Sequence, residues 1–158
     1  MEASVHVPQS AYVDTSAFIK RYLPESRTDE MEAFAISGEY RMAISSLTVT
    51  EFRSVLKRKL RDEAVGPDFV QKAKEQLLKE IAGGTLRFHA IDAATFNLAG
   101  ELIDRLSSPL ATLDAIHLAC ARATGATLMV SADKQLLRAA TEAGMTVLDL
   151  SLKATSGP

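Results

Sequence analysis

Short apolar runs alternate along the chain with longer segments in which apolar residues recur every three or four positions. The short runs predict buried strands at 11–14, 42–47, 87–91, 127–131 and 145–148. The longer segments predict helices at 50–64, 67–81, 94–106, 113–124 and 134–143. This alternation favours an α/β fold in which helices cover both faces of a mostly parallel sheet.

The chain of 158 residues is long enough for one domain with its own core, and no repeat or long linker divides it. We expect a single domain over residues 1–158, with frayed ends at 1–10 and 153–158. Folds of this kind bind ligands at the carboxyl ends of the strands, near the point where the strand order reverses. The chemistry is therefore expected at that edge of the sheet.

Four acidic residues lie where a predicted strand ends or a predicted helix begins: Asp14, Glu51, Asp114 and Asp133. Each has a structural explanation as well. Asp14 and Asp133 can cap the helices that follow them, and Asp114 lies in a first turn, where the helix dipole favours negative charge. Thr48 and Glu51 match a capping box. Capping does not explain why acids occupy all four places, because Ser or Asn caps a helix equally well.

Carboxylates gathered at one edge of a sheet repel one another, by about 4 kcal/mol per pair at a separation of roughly 4 Å. A cation relieves that repulsion, and ligands that are all oxygen suit Mg²⁺ or Mn²⁺. One or two such ions can lower the pKa of a water and stabilise an in-line displacement at phosphorus. The four acids therefore predict a metal-dependent site for phosphodiester chemistry.

Four stretches resemble the motifs of PIN-domain ribonucleases, most closely those of the VapC toxins of bacterial toxin–antitoxin pairs. They read YVDTSAFIK at 12–20, SSLTVTE at 45–51, LDAIHLA at 113–119 and SADKQLL at 131–137. They occur in the order and at the separations usual in that family, and the resemblance covers residues 12–150. It implies a three-layer α/β/α PIN-like fold around a central, mostly parallel sheet.

The resemblance also implies a function. The chain would be a toxin endoribonuclease that uses one or two Mg²⁺ or Mn²⁺ ions held by the four acids. Thr15 and Ser131 stand beside these acids, and we expect them to orient the ligands. A homodimer silenced by a small VapB-like antitoxin is implied too. The alternative is a non-catalytic PIN-like protein that binds RNA or acts as a dimeric regulatory module, and the complete set of acids argues against it.

Basic residues recur every fourth position in the helix that follows the second strand, at Arg53, Lys57 and Arg61. Together with Lys20, they are candidate contacts to RNA phosphates. A solvated helix face explains the three helical residues equally well. The net charge of −2 gives no global attraction to nucleic acid. If a metal neutralises four of the 20 acidic residues, however, the 18 basic residues are in slight excess.

The remaining histidines, acids and cysteine carry weaker signals. His117 lies one helical turn after Asp114 and can reach the same metal or a phosphate, although a packed, hydrogen-bonded histidine is the better explanation. Asp149 ends a strand and is a peripheral candidate. Cys120 is the only cysteine, which excludes an intrachain disulfide and fits a reducing cytoplasm. The first ten residues lack the pattern of a signal peptide, so we expect a cytoplasmic protein.

Overall fold

The computed structural model describes residues 7–151, which form five strands and seven α-helices. The strands are β1 (Gln9–Val13), β2 (Tyr40–Ser45), β3 (Arg87–His89), β4 (Leu128–Ser131) and β5 (Thr146–Asp149). The helices are α1 (Thr15–Phe18), α2 (Thr28–Ile36), α3 (Ser46–Arg61), α4 (Pro67–Ala82), α5 (Ala93–Arg105), α6 (Thr112–Ala123) and α7 (Lys134–Glu142). A 3₁₀ turn, Ile19–Arg21, continues α1.

The strands form one sheet in the order β3-β2-β1-β4-β5, and every neighbouring pair is parallel. The chain builds outward from β1 through β2 to β3, and then crosses to the other side of β1 to add β4 and β5. The strand order therefore reverses between β1 and β4, where Val13 pairs with Val130. A crevice for ligands is expected beyond the carboxyl ends of these two strands.

Alternate residues of the central strands enter two separate cores because successive side chains of a strand point to opposite faces. Val13, Ile44 and Val130 pack with side chains of α1 to α4. Tyr12, on the opposite face of the sheet, packs with Ala43, Met129 and side chains of α5, α6 and α7. Helices on both faces of a parallel sheet confirm the predicted three-layer α/β/α fold.

Helix α2 was not predicted from the sequence pattern. Met31 is its only fully buried residue among those described, and Ile36 is 85% exposed, so its apolar residues do not mark a single buried stripe. The other helices and strands lie within a few residues of their expected positions, with the largest shift at the start of α3. That helix begins at Ser46, four residues before the predicted start at residue 50.

The expected frayed ends fall largely on residues 1–6 and 152–158, which lie outside the described residues. Gln9 and Ser10, which were included in the expected frayed end, belong to β1 and pair with Tyr40 and Arg41 of β2. Within residues 7–151, no helix is long and apolar enough to cross a membrane.

Candidate active site

Asp14 follows the last residue of β1 and is almost completely buried in the crevice between β1 and β4. Its Oδ1 atom accepts hydrogen bonds from the Ser16 hydroxyl at 2.8 Å and the Ala17 amide at 3.1 Å. Its Oδ2 atom accepts one from the Ser131 hydroxyl at 2.8 Å. The sequence expectation that Asp14 caps a helix is correct, because Ala17 belongs to α1. The two serine contacts go beyond a cap and hold the carboxylate from both sides of the crevice.

Burial raises the pKa of Asp14, because a charged carboxylate loses hydration in the crevice. The charge of His117 and the hydrogen bonds from Ser16, Ser131 and Ala17 act in the opposite direction. Because the net effect is a raised pKa, the charged form of Asp14 is less stable here than in water, and a nearby positive charge would stabilise it.

Glu51 lies in the second turn of α3, and its Oε1 atom accepts two hydrogen bonds. The Thr15 hydroxyl donates one at 2.8 Å and His117 Nε2 donates the other at 2.5 Å. Burial by itself raises the pKa of Glu51, but the hydrogen bond and charge of His117 and the hydrogen bond of Thr15 outweigh it and lower the pKa.

The capping-box explanation of Glu51 is wrong. Ser45 caps α3, with its Oγ accepting from the Thr48 amide at 3.5 Å, and the Thr48 hydroxyl accepts from the Ser45 amide at 3.2 Å. Glu51 is therefore three residues too late to close a capping box. The error follows from placing the start of the helix at residue 50 instead of Ser46.

Asp114 and Asp133 complete the group of acids at this edge of the sheet. Asp114 lies in the first turn of α6, and Asp133 caps α7 by accepting from the amides of Gln135 and Leu136. Burial and the negative charge of Asp133 raise the pKa of Asp114 to about 6, with smaller contributions from Asp14 and Glu51. All three other acids thus act on Asp114, although the four acids lie in four different segments of the chain.

The donor chemistry of these four acids fits a hard divalent cation, because every atom they offer is oxygen and their charges repel. Among residues 7–151, however, no three His, Cys, Asp or Glu side chains are already arranged to hold a metal ion. The chemistry of the site therefore suits a metal, while the side chains do not form a closed ligand shell.

His117 is 3% exposed and connects the acids to the core. Its Nε2 atom faces Glu51, and its Nδ1 atom is 2.8 Å from the Tyr12 hydroxyl oxygen. The Tyr12 hydroxyl is in turn 2.9 Å from the Ser45 hydroxyl, at the start of α3. Both ring nitrogens are thus engaged by protein atoms, as the packed-histidine explanation requires.

A cavity of about 520 Å³ opens beside Glu51, which is the one of the four acids in its described lining. Thr15, Ser16, Lys20 and Arg58 line it as well. The Lys20 side chain is buried, and its Nζ atom donates to the Ser26 carbonyl at 2.7 Å and lies 3.6 Å from a Glu25 carboxylate oxygen. Lys20 therefore lines the cavity with an ammonium group that already has partners. Arg58 is exposed.

The three predicted basic contacts on α3 lie on another face of that helix. At 100° per residue, Arg58 is about 20° from Glu51 around the helix axis, whereas Arg53 and Lys57 are roughly 160° and 120° from it. Arg53, Lys57 and Arg61 are exposed, and the described lining of the cavity includes none of them. Their role as RNA contacts stays a prediction.

Two other acids are separate from this group: Asp149, which ends β5, and Asp92, which lies three residues after β3. Asp149 accepts a hydrogen bond from the Ser151 amide and lines a different cavity, of about 380 Å³, between α7 and β5. Asp92 caps α5 through the Thr95 amide.

Sequence reasoning missed Ser16, Tyr12 and Arg58. Ser16 follows Asp14 by two residues, and its hydroxyl also accepts from the Ala132 amide at 2.9 Å, which ties α1 to the end of β4. Such a hydroxyl two residues after a capping Asp is a usable local signal. No local signal marks Tyr12, because it stands in an apolar run where a core residue is expected. No local signal separates Arg58 from the basic residues beside it.

Comparison with known proteins supports this description of the fold. A model of the PIN domain matches residues 11–142. The solved structure of VapC20 from Mycobacterium tuberculosis, a toxin that cleaves the sarcin–ricin loop, is similar with a TM-score of 0.65 and 18% identity, over 82% of this chain and 94% of VapC20. No curated protein sequence matches significantly.

Two further solved structures are similar as well. FitAcB from Neisseria gonorrhoeae has a TM-score of 0.62 and 18% identity, over 88% of this chain and 96% of its own. VapBC2 from Rickettsia felis, bound to a DNA fragment from its promoter, has a TM-score of 0.59 and 16% identity, over 89% and 98%. These low identities indicate a shared fold. Because the PIN-domain match spans most of the sequence and the fold agrees with it, the chain belongs to the PIN-domain family.

Proposed function

We propose that the protein is a metal-dependent endoribonuclease that acts as the toxin of a toxin–antitoxin pair. The observation that carries this proposal is the placement of Asp14 and Asp133 just after β1 and β4, where the strand order reverses. The pKa of Asp114 supports it, because burial and then repulsion from Asp133, Asp14 and Glu51 raise that pKa to about 6. Structural capping predicts no such mutual repulsion, because each cap would act alone. A site that collects like charges is suited to a cation and to a substrate that brings further anionic oxygens.

Asp14, Glu51, Asp114 and Asp133 are the residues that would hold one or two Mg²⁺ or Mn²⁺ ions. Such an ion supplies positive charge that stabilises a phosphodiester undergoing displacement and makes water a better nucleophile. Ser16 and Ser131 fix the Asp14 carboxylate by hydrogen bonds, and Thr15 does the same for Glu51. These hydroxyls restrict the rotation of the carboxylates before any ligand arrives.

The partners follow from the same proposal. An RNA strand would lie along the cavity beside the acids, where Arg58 offers a positive charge to its phosphates. The similar proteins from Rickettsia felis and Neisseria gonorrhoeae belong to VapBC and FitAB complexes. By analogy, we propose a small VapB-like antitoxin as the inhibitor of this chain, a homodimer as its assembly and the cytoplasm as its location.

The decisive experiment is cleavage of purified tRNA and ribosomal RNA by the protein, before and after chelation of metals. We expect cleavage that stops with EDTA and returns when Mg²⁺ or Mn²⁺ is added in excess. Cleavage that persists in EDTA would contradict the metal-dependent mechanism. RNA binding without cleavage at any metal concentration would favour the non-catalytic alternative.

Arg58 provides a test of where RNA approaches the site. Substitution of Arg58 with Glu is expected to weaken RNA binding and to reduce the slope of log K against log salt concentration by about 1, because one phosphate contact is lost. Binding is measured by fluorescence anisotropy with Asp14→Asn as the background, which keeps the RNA intact. Arg53→Glu is the matched control, since it reverses a charge that is also exposed but lies on another face of α3. A larger effect from Arg53→Glu would assign RNA binding to the exposed basic face instead.

A further inference from the structure

We infer that His117 and Tyr12 are positioning residues that hold Glu51 in one orientation through a buried relay of hydrogen bonds. The inference rests on the proposed function, since it assigns the relay to the carboxylate that would hold the metal. It differs from the other interpretation of His117, in which the imidazole itself binds a metal ion or a phosphate.

The relay joins four residues from four elements, because Tyr12 belongs to β1, Glu51 to α3 and His117 to α6, while Ser45 ends β2. The Ser45 hydroxyl is 2.9 Å from the Tyr12 hydroxyl, which is 2.8 Å from His117 Nδ1. His117 Nε2 is 2.5 Å from Glu51 Oε1. Ser45 and Tyr12 are completely buried and His117 nearly so, whereas Glu51 is only partly buried. The relay therefore runs from the core to the edge of the cavity.

The position of one proton in this relay follows from hydrogen-bond chemistry. The ionised Glu51 carboxylate can only accept, so His117 Nε2 must carry a hydrogen and donate it. This holds whether the imidazole is neutral or protonated. The Tyr12 hydroxyl can donate to Nδ1 or accept from it, and in either case it fixes the rotation of the ring.

The relay determines which oxygen of Glu51 is engaged by hydrogen bonds. Among the described residues, the side-chain hydrogen bonds to this carboxylate come from Thr15 and His117, and both end on Oε1. Oε2 is then the oxygen that is available to a cation. His117 is poorly placed to be a ligand itself, because Tyr12 and Glu51 engage its two nitrogens and its ring is buried.

A purely structural role predicts a different pattern of residues. If the core needed only an aromatic ring at position 12, Phe would fill the same volume without a hydroxyl that must be paired. The Tyr12 hydroxyl instead contacts the Ser45 hydroxyl and the nitrogen of His117 opposite to Glu51, with the Thr48 hydroxyl 3.5 Å away. In metal sites, residues that hydrogen-bond to a ligand without contacting the metal fix the orientation of that ligand.

The test compares His117→Leu, His117→Gln and Tyr12→Phe with the wild-type protein, using Mn²⁺ binding without RNA, followed by electron paramagnetic resonance. We expect about 10-fold weaker Mn²⁺ binding for His117→Leu, which removes the donor to Glu51. His117→Gln keeps an N–H donor and is expected to recover most of that loss. Tyr12→Phe is expected to weaken binding less than His117→Leu. Thermal unfolding of each variant identifies any that fails to fold.

A second readout examines the relay in the metal-free wild-type protein. Nitrogen-15 NMR of the imidazole is expected to show His117 Nε2 bearing a proton at neutral pH, and a Nε2 without a proton would overturn the inference. Mn²⁺ binding by a folded His117→Leu variant at wild-type affinity would overturn it as well, while leaving the proposed function intact. A wild-type protein that binds no Mn²⁺ would instead refute the proposed metal site, and the positioning role with it.

Discussion

Replacement of Asp14 with Asn is expected to reduce RNA cleavage by more than about 100-fold while the protein remains folded. Loss of partners that merely orient a metal ligand costs 10–100-fold, so loss of a charged ligand at the centre of the site should cost more. The fold should survive because Asn keeps a carbonyl oxygen that can accept from the Ala17 amide, and it has the same shape as Asp. Cleavage rates are measured at saturating Mn²⁺, and folding by circular dichroism and thermal unfolding.

Asp149→Asn is the matched control for this substitution. Asp149 also ends a parallel strand, but it lines the cavity between α7 and β5 and not the one lined by Glu51. We expect its activity to stay within a few-fold of the wild type. If Asp14→Asn kept full activity, or if Asp149→Asn lost as much, the assignment of the site to the β1–β4 crevice would be wrong.

Truncation of Phe52 to Ala is expected to destabilise the protein by about 3–5 kcal/mol. Phe52 is completely buried in the core beneath α3, where its ring makes edge contacts with Phe18, at a centroid distance of 6.1 Å, and with Tyr22, at 4.9 Å. Removal of the ring leaves a cavity among groups that are tied to the sheet and cannot easily close around it. Since domains are stable by only about 5–15 kcal/mol, the variant should unfold at a much lower urea concentration.

Arg53→Ala is the control for Phe52→Ala, because Arg53 is the next residue in the chain and is exposed. We expect it to alter the free energy of unfolding by no more than about 0.5 kcal/mol. Urea unfolding of both variants, followed by tyrosine fluorescence and circular dichroism, makes the comparison. A loss below about 1.5 kcal/mol for Phe52→Ala would mean that the core can relax around this position.

Most of the secondary structure was predictable because it depends on local periodicity. The α4 helix begins at Pro67, as predicted, and ends at Ala82, next to the predicted end at residue 81. Its buried residues Val70, Ala73 and Leu77 repeat at helical spacing, which is a local signal. Helix α2 was not predictable from periodicity, because Met31 is the only one of its described residues that is fully buried. The start of α3 was misplaced because Ser45, and not Thr48, is its cap.

The candidate site was predictable as a set of acids but not as a set of contacts. The ends of parallel strands share one edge of the sheet, so the sequence position of Asp14 and Asp133 after strands was enough to bring them to the crevice. Arg58, and not Arg53, lies beside Glu51 because of the way α3 is rotated about its axis. That rotation follows from the buried residues Phe52 and Leu56, once the start of the helix is known.

By itself, the sequence determined the order of the elements other than α2, because each of those elements depends on residues near one another in the chain. The alternation of strands and helices then indicated a parallel α/β architecture with the four acids at its carboxyl edge. Only the tertiary structure decided which hydroxyl and which nitrogen meet each carboxylate. Ser131 reaches Asp14 across 117 positions, and His117 reaches Glu51 across 66. Such hydrogen bonds need atoms placed to within a few tenths of an ångström, and strand register and helix packing set that placement.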